Sequence, residues 1–234
     1  MSWTEEAENW ILWARSEDDS YWQYRDAFFE LLPAPGERTL DVGCGEGRVA
    51  RDLRDRRHRV VGVDAVPALV EAAADVDPQG EYLVADAADL PFEDESFDLA
   101  VAYNSLMDMD DMEGAVREVH RVLQPGSRFC ACVTHPINDA GGFEPDDVGG
   151  PFFVDTYRGR RRYDESFERF GRVMRFVGWC YPLEGYTRPL EEAGFLIEAI
   201  REPPIPTARV EKWPRGERRL RIPNFLLLRA LKTV

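Results

Sequence analysis

The chain has 234 residues, 44% of them hydrophobic, which is enough for one large α/β domain or a domain with a cap, and we expect a single domain over residues 1–234. Its formal net charge of −15 argues against a nucleic-acid backbone as the principal partner. The first residues are acidic where a secretory signal would be basic, and the apolar runs are too short to span a bilayer, so we expect a soluble, cytoplasmic protein with no membrane partner.

The first 35 residues form the first predicted segment, with amphipathic helices at 5–14 and 19–32. Their aromatic and apolar side chains recur at helical spacings, which predicts that these faces pack against the rest of the domain. Pro33 ends the second helix, and Asp19 or Ser20 could cap its start.

From residue 38 onward, predicted strands alternate with predicted helices. This alternation is typical of a parallel sheet with right-handed crossovers. Ligands of such sheets bind at the carboxyl ends of the strands, so the residues directly after each strand are the functional candidates. The predicted strands cover 38–42, 59–63, 81–85, 97–103 and 127–133, and the helices between them cover 47–56, 67–75 and 112–123.

Residues 135–180 interrupt the alternation with several glycines and then a basic and aromatic stretch. An insertion of this length is more often functional than a simple connector, and we interpret it as a cap over a substrate. Arg158, Arg160, Arg161 and Arg162 form its densest cationic cluster. Such a cluster could bind a carboxylate or phosphate, although a solvated strand edge is the interpretation that we favour.

Residues 181–234 complete the predicted domain with a helix at 185–193, a strand at 195–200 and a last strand around 225–228. We expect the last strand to pair antiparallel with the one before it. The sequence therefore predicts an α/β fold with a doubly wound, mostly parallel seven-stranded sheet whose last strand is antiparallel.

A glycine-rich turn follows the first strand, with Gly43, Gly45 and Gly47 two positions apart and Asp41 just before them. Glycines are needed where a backbone turns sharply from a strand into a helix and a ligand lies against bare amides. The turn predicts a nucleotide-like cofactor. A dinucleotide fingerprint would have a third glycine where Arg48 stands, which makes a nicotinamide cofactor the weaker interpretation.

Two further carboxylates follow the second and third predicted strands. Asp64 could accept hydrogen bonds from both hydroxyls of a ribose, and a helix cap is the alternative role. Asp86 and the next backbone amide could bind the amino group and a ring nitrogen of an adenine. The four cysteines have no paired metal-ligand spacing, so we expect reduced thiols and no metal site.

Several of these motifs occur in the order seen in one family. The sequence Leu40-Asp41-Val42-Gly43-Cys44-Gly45-Glu46-Gly47 is followed by Val61-Gly62-Val63-Asp64 and by Ala85-Asp86-Ala87-Ala88-Asp89-Leu90-Pro91-Phe92. A strand that begins at Ser96-Phe97-Asp98, a helix and the turn at Pro125-Gly126 come next. In these motifs the chain resembles the class I S-adenosylmethionine-dependent methyltransferases, which have a Rossmann-like fold. The likeness covers residues 36–134.

The resemblance implies a role for each segment. Residues 1–35 would form a helical lid, 36–134 the cofactor-binding core, 135–180 the substrate cap and 181–234 the C-terminal helix and strands. Asp41 would hold the ammonium of the cofactor, the glycine turn its methionine part, Asp64 the ribose, Asp86 and Ala87 the adenine, and Asn104 would lie near the sulfonium. The implied cofactor site consists of Asp41, Gly43, Cys44, Gly45, Asp64, Ala65, Asp86, Ala87 and Asn104.

The function implied by this resemblance is methyl transfer from S-adenosylmethionine to a small-molecule acceptor at oxygen, nitrogen or carbon, giving S-adenosylhomocysteine. Positioning and desolvation can supply much of the rate of such a displacement without a metal. One alternative is a non-catalytic cofactor-binding protein with a regulatory or partner role, and a weaker one is an NAD(P)-dependent oxidoreductase. The sequence leaves the oligomeric state open.

A hydroxyl or protonated amine acceptor would need a base, and His135, directly after the fifth strand, is the candidate among the three histidines. A structural or substrate-packing histidine is the alternative. The His135-Pro136 pair resembles a bacterial subgroup with small-molecule acceptors. In that subgroup His-Arg usually stands where this chain has Cys180 and Tyr181.

Overall fold

A seven-stranded sheet organises the chain. The computed structural model describes residues 3–17, 19–143, 150–169, 171–212 and 214–233, so that residues 144–149 and 170 of the predicted cap lie outside the described residues. The strands are β1 (Thr39–Val42), β2 (Val60–Asp64), β3 (Glu81–Val84), β4 (Phe97–Tyr103), β5 (Leu123–Thr134), β6 (Gly141–Phe143), β7 (Phe152–Val154), β8 (Arg161–Arg169), β9 (Arg172–Cys180), β10 (Phe195–Arg201) and β11 (Phe225–Lys232). The α-helices are α1 (Trp3–Ala14), α2 (Tyr21–Leu31), α3 (Arg48–Asp55), α4 (Pro67–Val76), α5 (Met112–Val122), α6 (Pro136–Asp139), α7 (Leu183–Ala193) and α8 (Thr207–Lys212).

The strand order of the sheet is β10-β11-β5-β4-β1-β2-β3. Strand β11 runs antiparallel to both of its neighbours, and the other pairs are parallel. The predicted fold class, including the antiparallel last strand, is confirmed. Strand β5 begins at Leu123, earlier than predicted, because Leu123 pairs with Phe97 before a shift in register.

The order of the strands reverses at β1. The chain proceeds from β1 to β2 and β3 on one side, and then returns to add β4 and β5 on the other. Loops from the carboxyl ends of β1 and β4 therefore lead away in opposite directions and leave a cleft, the usual ligand position in such a sheet.

Helices cover both faces of the sheet. One apolar core contains side chains of α5 and α7, and the other contains side chains of α2 and α3. Helix α5 shows why the sequence folds this way. Its buried side chains recur at helical spacing from Met112 to Val122, and the Asp111 carboxylate accepts a hydrogen bond of 2.8 Å from Gly114 N–H at the first turn.

The N-terminal helices are fixed to the start of α3 by a buried ion pair. Arg48 Nη1 lies 2.8 Å from Asp19 Oδ1 and 3.1 Å from the carbonyl oxygen of Ala14, and its guanidinium stacks over Trp10 and Tyr21. Ser20 occupies the N-cap position of α2 but makes no side-chain cap bond, and it is the Asp19 carboxylate that accepts a hydrogen bond from Tyr21 N–H at the first turn. Arg48 stands where a dinucleotide-binding site would have a glycine. In this protein it connects the N-terminal helices to the core.

The described part of the predicted cap consists of α6 and two antiparallel hairpins, β6–β7 and β8–β9. The longer hairpin meets helix α1 through Phe176. The Phe176 ring packs edge-to-face against the rings of Trp3, Trp10 and Trp13 at centroid distances of 5.4–6.4 Å. Helix α1, at the start of the chain, therefore meets the β8–β9 hairpin above the carboxyl edge of the sheet.

Among the described residues, none of the helices combines the length and the hydropathy that crossing a bilayer requires.

Replacing Asp19 by Ala should destabilise the protein, because Arg48 would remain buried without its carboxylate. Removing one partner of a buried ion pair costs about 3–5 kcal/mol, and we expect the free energy of unfolding in a urea titration to fall by this amount. Glu184→Ala serves as the control, since it removes an exposed pair with Arg188 and should cost about 0.5 kcal/mol or less. Equal losses for the two variants would contradict the structural role of the buried pair.

Candidate active site

A cavity of about 1470 Å³ opens at the carboxyl edge of the sheet. Its floor consists of the residues that follow β1, β2, β3 and β4, and its roof consists of side chains from α1, β8 and β9. One end is lined by the predicted cofactor residues and the other by residues of the cap and of the C-terminal segment. This volume exceeds that of a pocket for a single drug-sized ligand.

The glycine turn lies at the first end of the cavity. Gly43 has φ +70°, and a Cβ on it would lie 2.4 Å from the Cβ of Ser105 in the loop after β4. Gly45 has φ +56°, and the indole nitrogen of Trp10 lies 3.2 Å from the place of its missing Cβ. Both positions therefore require glycine, and the helix that follows begins at the cavity with its N–H groups facing the turn.

Asp41 lies beneath this turn. Its side chain is 1% exposed, and its Oδ2 atom has no hydrogen-bond partner. Burial, together with the nearby charge of Asp64, raises the pKa of Asp41 from 3.8 to about 7. A buried carboxylate oxygen without a donor is unfavourable unless a cationic ligand group approaches it.

Asp64 lies at the end of β2 and lines the cavity. Its Oδ2 accepts a hydrogen bond of 2.9 Å from Gly45 N–H, and its Oδ1 accepts one of 2.9 Å from Val66 N–H. These two bonds fix the carboxylate between the glycine turn and the start of α4. Each oxygen keeps a lone pair for a ligand hydroxyl. Ala65, next to Asp64, also lines the cavity.

Asp86 and Ala87 line the cavity after β3. The Asp86 Oδ1 accepts a hydrogen bond of 2.9 Å from Ala88 N–H, which shapes this loop. Asn104 follows β4 with φ +52°, and its N–H donates to the carbonyl oxygen of Cys132 at 2.8 Å. The structure thus brings eight of the nine predicted cofactor residues to the cavity wall and places the ninth, Asp41, directly behind it.

The opposite end of the cavity contains residues that the sequence did not single out. They come from α6, from strand β8 of the long hairpin and from the C-terminal segment, namely Asn138, Asp139, Tyr163, Glu165, Arg218, Arg219 and Asn224. The period-two spacing of Tyr163, Glu165 and Phe167 along β8 is the signal that could have identified part of this wall.

His135, the predicted base, is engaged at both ring nitrogens. Its Nδ1 accepts a hydrogen bond of 3.1 Å from Ile137 N–H, and its Nε2 lies 2.8 Å from Glu202 Oε1. Burial lowers the pKa of this histidine, against the raising effect of Glu202. Because Nδ1 accepts, the proton of the neutral ring lies on Nε2. These contacts are those of a helix cap and do not support a general base at this position.

Three of the four arginines of the predicted cationic cluster, Arg160, Arg161 and Arg162, bind other parts of the protein. The Arg160 guanidinium stacks over Trp179 at 3.6 Å and donates to the carbonyl oxygen of Asp110 at 2.9 Å. Arg162 lies 3.4 Å from the Asp110 carboxylate, and Arg161 donates to the carbonyl oxygen of Asp139. Within the described structure these side chains hold the hairpin against the core and do not line the cavity.

A metal centre finds no support in the described part of the chain, where no three His, Cys, Asp or Glu side chains are grouped as ligands. The four cysteines are free thiols, and each is buried.

Comparisons with known proteins agree with this geometry. Residues 40–131 match the family described as "Methyltransferase domain". The 27-O-demethylrifamycin SV methyltransferase of Amycolatopsis mediterranei is 32% identical over 211 residues, which cover 82% of this chain and 70% of that protein. The O-methyltransferase resE of Aspergillus sclerotiorum is 38% identical over 112 residues, covering 45% of this chain and 42% of the relative.

A solved structure of an S-adenosylmethionine-dependent methyltransferase from Mesorhizobium loti superposes with a TM-score of 0.75 at 27% identity, covering 92% of this chain and 99% of that one. The chain belongs to the S-adenosylmethionine-dependent methyltransferase family. It spans about half the length of several curated relatives that it matches.

The residues present fit the donor that this family uses. S-adenosylmethionine carries an ammonium group, and the buried oxygen of Asp41 lacks a partner. The glycine turn leaves bare backbone where a Cβ would intrude, and the carboxylates after β2 and β3 are acceptors for hydroxyl and amino groups.

Asp41→Asn should stabilise the ligand-free protein more at pH 8 than at pH 5. The pKa of Asp41 is raised in the folded state, so the cost of burying its charge grows as the pH rises from about 4 to about 7 and persists above that. Thermal unfolding at both pH values measures this difference. Asp26→Asn, at an exposed side chain, corrects for the general effect of the substitution. A stabilisation independent of pH would contradict the ionisation of a buried Asp41.

Proposed function

We propose that this protein transfers the methyl group of S-adenosylmethionine to a hydroxyl group of a small-molecule acceptor, leaving S-adenosylhomocysteine. The observation that carries the proposal is one continuous cavity, whose wall contains eight of the nine predicted cofactor residues at one end and residues of the cap at the other. A ligand at each end of the cavity would meet the other near Asn104.

Each cofactor-binding residue at this end of the cavity would have one role. Asp41 would accept from the ammonium of the donor, the glycine turn would lie along its methionine part, and Asp64 would accept from the ribose hydroxyls. Asp86 and the Ala87 N–H would bind the adenine. When bound, S-adenosylmethionine supplies a methyl carbon that is already activated by a positive sulfur.

The protein's part in such a reaction is to position and to exclude water. An in-line displacement gains most from holding the two reactants in a near-attack geometry. The roof formed by α1 and the β8–β9 hairpin, with Phe176 between three tryptophans, would keep water away from the acceptor oxygen and the sulfonium.

The choice of oxygen as the acceptor atom rests on the relatives. Of the relatives described above, one is named as an O-methyltransferase and another as a methyltransferase of 27-O-demethylrifamycin SV. The acceptor end of the cavity has carboxylate, amide and phenol groups that suit a hydroxylated molecule. A small organic molecule is the acceptor class that a cavity of this size suits.

The direct test is formation of S-adenosylhomocysteine from S-adenosylmethionine with a panel of monophenols, catechols, aliphatic alcohols, amines and carboxylic acids. Turnover on hydroxyl compounds supports the proposal. Tight binding of S-adenosylhomocysteine in calorimetry without turnover on any acceptor would favour a non-catalytic binding protein, and binding of NADH in its place would favour an oxidoreductase.

Asp64→Ala should weaken the binding of S-adenosylhomocysteine by about 1–3 kcal/mol, the cost of leaving polar ligand groups unpaired. Isothermal titration calorimetry measures the change. Asp64→Asn keeps the size of the side chain and should give a smaller loss, which separates binding from damage to the turn. The control is Asp75→Ala on the exposed side of α4, which should leave the affinity unchanged. Unchanged affinity in both Asp64 variants would remove this residue from the ribose site.

A further inference from the structure

The short helix α6 brings one carboxylate to the acceptor end of the cavity. Asp139 is the last residue of α6 and lies in the cavity wall, five residues after the end of β5. Its backbone is fixed on both sides, since its N–H donates to the carbonyl oxygen of His135 at 3.2 Å and its own carbonyl oxygen accepts from Arg161. The backbone of Asp139 is therefore held by the core and by the cap together.

A relay of two side chains orients the Asp139 carboxylate. Arg219 donates a hydrogen bond to Asn138 Oδ1, and Arg219 can only donate. The oxygen of the Asn138 amide must therefore face Arg219, which leaves the amide NH₂ to donate to the carboxylate of Asp139. Arg219 comes from the C-terminal segment, 80 positions away in the sequence, so this arrangement exists only in the folded protein.

The surroundings of Asp139 bring its pKa close to neutral pH. Burial raises the pKa of Asp139 from 3.8 to about 7, against the lowering effects of the Asn138 hydrogen bond and of Arg161 and Arg219. A base with a pKa near the working pH is the most effective proton acceptor. The ionisable groups that face it from the neighbouring elements are Arg161, Tyr163 and Glu165 on β8, Cys180 on β9, Tyr186 on α7 and Arg219.

Two other candidates in the same region are less suitable. Both nitrogens of His135 are engaged, as described above. Asp108 also lines the cavity, but burial raises its pKa well above the ordinary range, and one of its oxygens lies 2.7 Å from the place of a Cβ on Gly178. Asp108 is thus packed against the hairpin, and burial disfavours its ionised form.

We propose that Asp139 is the general base that removes the proton of the acceptor hydroxyl, and that Asn138 and Arg219 are its positioning residues. This inference rests on the proposed function and adds the acceptor class: an alcohol or a weakly acidic phenol that is neutral at the working pH. The acceptor oxygen forms a bond to the methyl carbon as the carbon–sulfur bond breaks and the sulfur leaves with the bonding pair. The hydroxyl proton passes to the Asp139 carboxylate and then to solvent.

The pH dependence of kcat/KM tests the role of Asp139, with the hydroxyl compound that turns over best in the panel. The wild-type rate should rise with pH through about 7, as the carboxylate loses its proton. Asp139→Asn should lower kcat/KM roughly 10²–10⁴-fold, which is the usual contribution of a general base. It should also remove the rise of the rate with pH. Asp164→Asn is the matched control, because Asp164 lies on the cap hairpin, is exposed and pairs with Arg175; it should keep the wild-type profile.

Arg219→Gln tests positioning as distinct from a structural role. Loss of its positive charge should move the rise in rate to higher pH, since Arg219 lowers the pKa of Asp139. Arg219→Lys keeps the charge and should restore the position of the rise in part. A merely structural arginine would lower the rate at every pH without moving the profile.

A readout without turnover comes from infrared difference spectra of the wild-type protein and Asp139→Asn, both bound to S-adenosylhomocysteine. The carbonyl band of a protonated carboxylic acid should appear in the difference spectrum at pH 5 and disappear on raising the pH through about 7. Calorimetry with S-adenosylhomocysteine should give the same affinity for both proteins, which shows that the variant is folded.

The acidity of the acceptor gives a second criterion. Asp139→Asn should lose far more activity with phenol than with 4-nitrophenol, because an acceptor that is already ionised needs no base. The proposal would be overturned if Asp139→Asn kept the wild-type pH dependence of kcat/KM. It would also be overturned if His135→Ala or Asp108→Asn lost that pH dependence while Asp139→Asn retained it. Turnover by the wild-type enzyme on amines alone would overturn it too. A wild-type protein that does not bind S-adenosylhomocysteine would instead refute the proposed function.

Discussion

The turn after β1 and the loop after β4 lie closer together than a side chain would allow, and the cavity depends on this approach. A Cβ on Gly43 would fall 2.4 Å from that of Ser105, and the Ser105 hydroxyl donates to the carbonyl oxygen of Val42 at 2.6 Å. This contact closes the base of the cleft that the reversal of strand order opens. From this junction the cofactor end of the cavity extends over β1, β2 and β3, and the acceptor end lies beyond β5.

The site has an energetic cost that the rest of the fold offsets. Asp41 is buried with an oxygen that has no partner, and its raised pKa shows that the ionised form is unfavourable there. Groups of this kind are concentrated at functional sites, where the ligand supplies the missing partner. The two apolar cores on either side of the sheet provide the stability that offsets this cost.

Distant parts of the chain meet around the cavity. Arg48 holds the N-terminal helices at the glycine turn, Phe176 joins those helices to the long hairpin, and Arg219 reaches from the C-terminal segment to Asn138. The donor end is thus built by one continuous stretch of chain, whereas the acceptor end needs three separate segments to be in place. A family that keeps its donor site and varies its acceptor can do so by changing those segments.

The sequence by itself determined the sheet, the glycine turn and the carboxylates after the strands. These features depend on local backbone needs and on short spacings, such as the glycines at 43 and 45 and the alternation of strands with helices. Only the tertiary structure decided that Asp139 faces the acceptor end, that His135 caps a helix and that Arg48 binds Asp19. Each of those outcomes is set by partners at least 29 positions away or by the direction of a short helix, and the packing of distant segments leaves no periodic signal in the sequence.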